Sequence, residues 1–109
     1  MAGLPYVGSG VLGSCVGMDK VVTKRLAAQA GLPLLPYAVL DSARDLGAAR
    51  RLRLPVFVKP ARLGSSVGVY KVKRASELAR AVRKAFRFDS TVLVEQGVSA
   101  REIECAVLG

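Results

Sequence analysis

Histidine is absent from the sequence, which excludes histidine general bases, Ser–His nucleophiles and His-ligated zinc. Acid is scarce: eight Asp and Glu stand against seventeen Lys and Arg, a formal net charge of +9. Such an imbalance in so short a chain argues for an anionic partner (nucleotide phosphate, nucleic acid or an acidic segment elsewhere), although part of it is plain surface charge on helix exteriors. Aromatic residues are few, three Tyr and three Phe with no Trp. Of these, Tyr37, Phe57 and Tyr70 lie in runs that read as core. A basic nucleic-acid-binding module, which stacks bases on exposed aromatics, is therefore the weaker use of the charge. No apolar run reaches the roughly 18 residues of a membrane span. The first charged residues are Asp19 and Lys20, so the basic stretch of a signal peptide is lacking and a cytoplasmic protein is expected. The only cysteines, Cys15 and Cys105, sit in apolar surroundings far apart in sequence. They are predicted to be buried free thiols rather than a disulfide.

What is present suffices for one small domain: 109 residues, 51% of them hydrophobic. Met18, Val22 and Leu26 recur every four residues and predict a helix over 14–30, closed by Gly31 and Pro33. Lys20 and Lys24 share another face of it. Tyr37 to Leu40 reads as a short strand, and Asp41 and Ser42 offer a cap for a second helix over 42–53. A third helix, capped by Ser76, carries Leu78, Val82, Ala85 and Phe86 on one face, with basic residues toward its C-terminus. Strands follow at 91–95 and, by alternation of Ile103, Cys105 and Val107, at 101–108. The order predicts an α+β fold with a mainly antiparallel sheet flanked by helices. A literal G-x-G-x-x-G at Gly8, Gly10 and Gly13 lacks both the preceding strand and the later acid of a dinucleotide fingerprint, and reads as a glycine-rich loop.

The chain is organised around Phe57-Val58-Lys59-Pro60-Ala61-Arg62-Leu63-Gly64-Ser65-Ser66-Val67-Gly68-Val69. Two strands are joined by a loop of glycine and serine with a lysine at its base. Glycines admit an anion close to the backbone, amides and hydroxyls donate to its oxygens, and the lysine supplies fixed charge. An ordinary solvent-exposed hairpin accounts for the same residues equally well. No Gly-Lys-Ser/Thr follows and no helix opens, so this is not a Walker A loop.

Val58-Lys59-Pro60 with Gly64-Ser65-Ser66-Val67-Gly68 resembles the phosphate-binding hairpin of the D-alanine–D-alanine ligases, members of the ATP-grasp superfamily. Leu4-Pro5-Tyr6-Val7-Gly8-Ser9-Gly10, Met18-Asp19-Lys20 with Lys24, and Glu95-Gln96-Gly97-Val98 before Arg101-Glu102-Ile103-Glu104 agree in the same order. The resemblance covers nearly the whole chain. It implies the central lobe of an ATP-grasp fold over 14–109, with 1–13 leading in from an N-terminal domain and a C-terminal lobe beyond.

The resemblance also implies the site. Lys20 and Lys59 would contact the nucleotide phosphates, and Gly64, Ser65, Ser66 and Gly68 would form a flexible lid over them. Ser65 matches a serine in the hydrogen-bond network at the first D-alanine and is the catalytic candidate. The Glu95 carboxylate and Gln96 carbonyl would take the adenine amine, the Val98 amide would donate to a ring nitrogen, and Glu102 would accept from the ribose. On charge alone, Glu95 and Glu102 serve equally as partners for neighbouring arginines. Gly97 departs from the family's commoner bulkier residues, which weakens stacking on adenine.

The implied reaction joins two D-alanines through an acyl phosphate for peptidoglycan synthesis, with ATP and Mg2+. No metal site is expected in this chain, whose magnesium ligands would come from the C-terminal lobe, and the chain alone is expected to be inactive. A D-alanine–D-lactate ligase, a homodimeric full enzyme and, from another class, the nucleic-acid module remain open at this point.

Overall fold

The computed structural model describes residues 3–107. Four strands, β1 (Tyr37–Leu40), β2 (Val56–Pro60), β3 (Tyr70–Val72) and β4 (Val92–Gln96), form one sheet in the order β1-β4-β2-β3. Every neighbouring pair is antiparallel. Three helices accompany it: α1 (Val11–Met18), α2 (Lys20–Gln29) and α3 (Ala75–Ala85).

Alternation along the strands separates two faces. Val56 and Val58 of β2, Val92 and Val94 of β4, and Ala38 and Leu40 of β1 point to one side. There they meet Leu78, Ala81, Val82 and Ala85 of α3, together with Leu46 and Ala49. This is the main core. Helix α3 forms as expected, but Ser76 is not its cap: the N-cap position is Arg74, and Ser76 lies within the first turn. The Glu77 carboxylate, three residues on from Arg74, accepts the backbone N–H groups of Lys73 and Arg74, each at 3.2 Å, and so fixes the start of the helix there, as a capping-box glutamate does. On the other face a smaller cluster, Val21, Ala61 and Leu93, seats α2 over one end of the sheet. The rest of that face stays open.

Four expectations are corrected. The helix expected over 14–30 is broken at Asp19, whose backbone is extended (φ −102°, ψ 107°). Its carboxylate accepts from Val21 N at 2.9 Å and Val22 N at 3.1 Å, restarting the chain as α2. The stripe Met18, Val22 and Leu26 is exposed, and Val21 is the buried residue of α2.

Residues 42–53 form only a 3-10 turn at Ala49–Arg51. Ser42 Oγ takes Arg44 N and Asp45 Oδ1 takes Gly47 N, so short side chains satisfy local turns in place of a helical ladder.

The strand expected over 101–108 is unpaired. Residues 101–107 are exposed without regular structure, and Leu108 lies outside the described residues. Alternation there had no neighbouring strand to bond to. The two cysteines are exposed, not buried, and free; Cys15 lies on α1, which has no buried residue.

A clamp holds the base of the central hairpin. Asp89 accepts from Arg62 N at 2.9 Å, from Arg62 Nε at 3.2 Å and from its terminal guanidinium nitrogen, and also from Thr91 N at 3.1 Å. These bonds, the Arg62 side chain first among them, hold the Asp89 carboxyl at about 2, against an ordinary 3.8. A depressed folded-state value stabilises the fold above the unfolded value, near 4, and the stabilisation is lost as pH falls through about 2. Acid unfolding should show this directly. Asp89→Asn should lose about 1 kcal/mol at pH 7, solvent screening of the exposed guanidinium included, and lose less than the parent as pH falls from 4 to 2. Parallel pH profiles for parent and variant would contradict the clamp.

Candidate functional site

The open face of the sheet is lined by the odd positions of β2. Phe57 stands opposite Glu95, and Lys59 opposite Leu93. The loop after β2 rises over this face, and the segment leaving β4 runs along its far rim. Between them lies a cleft of about 560 Å3.

Lys20, Lys59, Gly64, Ser65, Ser66, Glu95, Gln96, Val98 and Glu102 all line the cleft. The fold thus gathers nine residues chosen from sequence, drawn from α2, β2, the loop, β4 and the segment after β4. Gly68 is the exception. It sits behind the loop at φ +72°, and a Cβ there would come within 2.7 Å of Pro60 Cγ. Its role is to close the hairpin.

The loop is two overlapping turns. Val67 N donates to Gly64 O at 3.1 Å and Val69 N to Ser66 O at 3.2 Å. Ser65 and Ser66 take left-handed φ values of 51° and 60°, the pattern of a type I′ turn. Non-glycine residues there cost about 1–2 kcal/mol each, so the loop is held against local preference. Lys20 supplies part of that hold. Its ammonium donates to the carbonyls of Pro60 (3.1 Å), Ala61 (3.4 Å) and Leu63. Burial, then the neighbouring Lys59, lowers its pKa below the ordinary lysine value. In this state Lys20 is a strut beneath the loop that also borders the cleft.

Among the described residues Glu95 is the one buried charged residue, 9% exposed. Lys59 Nζ donates to its Oε2 at 2.7 Å, and Lys24 pairs with its Oε1. Burial by itself raises the carboxyl pKa, but the hydrogen bonds and charges of Lys24 and Lys59 outweigh it and the net shift is downward. Glu95 is therefore an ionised acceptor at neutral pH. The arginine partner that charge alone suggested is thus corrected: the fold brings two lysines, from α2 and β2, to this carboxylate.

Sequence reasoning overlooked Phe57 and Lys24. The Phe57 ring lies on the cleft wall, with Lys59 Nζ 5.7 Å and Lys71 Nζ 5.4 Å from its centroid. Its spacing of two from Lys59 was the available signal. Gly97 also matters more than expected: a Cβ there would meet Pro55 O at 3.0 Å and the Phe57 ring at 3.1 Å.

A four-stranded antiparallel sheet with a lysine-based hairpin arched over its open face is the architecture of an ATP-grasp central lobe, and solved ATP-grasp ligases share it. The D-alanyl-alanine synthetase A of Vibrio cholerae superposes with TM-score 0.80 and 36% identity, over 90% of this chain and 31% of that one. The VanG D-Ala:D-Ser ligase of Enterococcus faecalis superposes with TM-score 0.77 and 34% identity, over 90% of this chain and 30% of that one. Residues 26–109 match the family described as D-ala D-ala ligase C-terminus, and the chain belongs to that family. The D-alanine--D-alanine ligase A of Chromobacterium violaceum is 56% identical over 100% of this chain and 31% of its own length. The chain thus spans about a third of the length of the relatives it matches.

No helix among the described residues is long and apolar enough to cross a membrane.

Proposed function

We propose that this chain forms the ATP-binding cleft of a cytoplasmic D-alanine–D-alanine ligase. The observation that carries this reading is the meeting of Lys59, the Glu95–Val98 segment and the loop Gly64 to Ser66 around one cleft. In this reading Lys59 holds phosphate oxygens, and Lys20 adds charge from beneath the loop; their work is positioning and electrostatic stabilisation. The backbone and hydroxyls of Ser65 and Ser66 cover the triphosphate, and Ser65 also reaches toward the first D-alanine. Glu95, the Gln96 carbonyl and the Val98 amide read the adenine edge, and Glu102 accepts from the ribose. Phe57 lies at the floor.

Magnesium does not fit the described residues. No three His, Cys, Asp or Glu side chains come together among them. Glu95 is committed to two lysines, which leaves Glu102 as the cleft's other carboxylate. Magnesium in octahedral geometry takes one or two carboxylates together with substrate phosphates, and those ligands belong to the remainder of the ligase.

Two expected outcomes test the reading. The 109-residue chain should release no phosphate from ATP with D-alanine and magnesium beyond a heat-killed control. Placed in the Chromobacterium violaceum ligase in exchange for the matching third, the same segment should support ATP-dependent dipeptide formation. A folded chimera that binds no ATP would overturn the reading, and D-alanine-dependent turnover by the chain alone would overturn the assignment of the magnesium ligands to the remainder of the ligase.

A helical basic face offers the rival nucleic-acid reading its charge. Arg80, Arg83, Lys84 and Arg87 are exposed on and just after α3, but α3 covers the sheet face opposite Phe57. Charge and exposed aromatic surface are thus on different sides, which disfavours base stacking along a basic groove.

A further inference from the structure

We propose that Lys24, which does not border the cleft, is the positioning residue that holds Glu95 as a fixed anionic acceptor, so that the site selects a purine with an amine at position 6 over one with a carbonyl there. The proposal rests on the nucleotide reading above and adds to it the residue that enforces base choice.

The geometry separates two jobs. Glu95, Lys59 and Lys20 border both the main cleft and a smaller recess of about 340 Å3 beside it. Lys24 borders only the recess, together with Thr23, Ala27, Leu34 and Leu93. From there it grips Oε1, while Lys59, which reaches both spaces, grips Oε2. The Lys24 side chain is 15% exposed, and its Nζ stands 5.0 Å from the centroid of the Tyr37 ring. Tyr37 is in turn the β1 residue in register with Glu95. The groups facing the Glu95 carboxylate are thus Lys24 from α2, Lys59 from β2 and Tyr37 from β1, with Lys20 bordering the same two spaces.

Charge arithmetic gives Lys24 its consequence. If Lys59 holds phosphate, it serves two anions at once, and one ammonium has three donors to divide. A second lysine, out of reach of the nucleotide, keeps the carboxylate neutralised and aimed when Lys59 turns to the phosphate. A fixed carboxylate accepts from the N6 amine of adenine and repels the O6 carbonyl of guanine. Without Lys24, the carboxylate competes with phosphate for Lys59, and both affinity and base choice suffer.

The test uses the 109-residue chain and its Lys24→Met, Lys24→Gln and Lys24→Arg variants, with ATP and GTP titrated by calorimetry. Lys24→Met should bind ATP about tenfold more weakly, the scale of one charged hydrogen bond. Its preference for ATP over GTP should shrink, and Lys24→Arg should restore both. In the nucleotide-free chain, carbon NMR of the Glu95 carboxyl should titrate at higher pH in Lys24→Met than in the parent, again restored by arginine, which a merely structural lysine would not do. Lys24→Gln carries the comparison if the methionine variant fails to fold. A parent that selects ATP and a folded neutral variant with the same affinity, base preference and Glu95 titration overturn the role of Lys24 while leaving the nucleotide reading intact. A parent that binds neither nucleotide overturns that reading, and the assignment of Lys24 with it.

Discussion

Lys59→Met, in a ligase of this family carrying the present segment, is expected to weaken ATP binding by about 1.5–3 kcal/mol, or ten- to a hundred-fold. The reason is charge. Methionine keeps an apolar stem that can lie against Phe57, whose ring has the Lys59 ammonium 5.7 Å from its centroid. What it removes is the ammonium at the base of the loop. Glu95 retains Lys24 after the change, so the variant is not left with an unpaired buried carboxylate and its fold should survive. Lys59→Ala should lose only slightly more. Arg50 and Arg80 are exposed and do not line the cleft, so their replacement should leave ATP affinity unchanged. A nucleic-acid-binding module behaves differently: each basic residue contributes a similar small share, and the salt slope falls by about one for each phosphate contact removed. Equal small losses at Lys59, Arg50 and Arg80, measured by calorimetry, would therefore end the ATP reading of the hairpin.

Gly68→Ala is expected to cost about 2–4 kcal/mol of stability, from two terms that act together. An L-residue in the left-handed region loses about 1–2 kcal/mol, and Gly68 sits at φ +72°. Overpacking adds about 1–3 kcal/mol, because the new Cβ would lie 2.7 Å from Pro60 Cγ and 3.0 Å from Phe88 Cδ2. Pro60 is fully buried at the end of β2 and has little room to yield. Gly64→Ala is the control within the same loop. Nothing lies within 4 Å of its Cβ position and its φ is not in the left-handed region, so its change should stay within about 0.5 kcal/mol. Urea unfolding of the two variants reads the difference. Equal stabilities would mean that Gly68 does not close the hairpin as described.

These two glycines show what a sequence conveys and what it withholds. Spacing and residue type sufficed to locate the hairpin, because strand alternation, a proline and small loop residues are all local signals. They also sufficed for α3, whose apolar face repeats cleanly. Local patterning did not reveal that Gly68 faces Pro60 and Phe88 while Gly64 faces open space, since that depends on where residue 88 returns. The same limit explains the stretches that differed. Met18, Val22 and Leu26 have helical spacing, but whether the stripe is buried depends on what packs there, and the fold turns Val21 inward instead. Asp19 was legible as an N-cap in principle; the apolar residues on both sides of it suggested continuity. Residues 101–107 alternate as a strand should, yet a strand exists only with a partner, and none lies beside them among the described residues.

The cleft itself was read through motif resemblance, and nine of its residues do converge. Glu95 shows where that reading needed the fold. Motif resemblance placed it on the adenine, and charge alone left open an arginine partner. The structure supplies two lysines instead, on separate oxygens. Neither lysine is adjacent to it in sequence, so only the meeting of α2, β2 and β4 brings the three charges together.

The most direct test of the cleft is a titration of the isotope-labelled 109-residue chain with a non-hydrolysable ATP analogue, followed by backbone amide shifts. The account predicts saturable changes confined to Lys59, Gly64 to Ser66 and Gln96 to Val98, with Gly8 to Gly13 and the outer face of α3 unmoved, and no comparable response to NAD. Shifts spread over Arg80, Arg83 and Arg87 with none at Lys59 or Gln96 would contradict it.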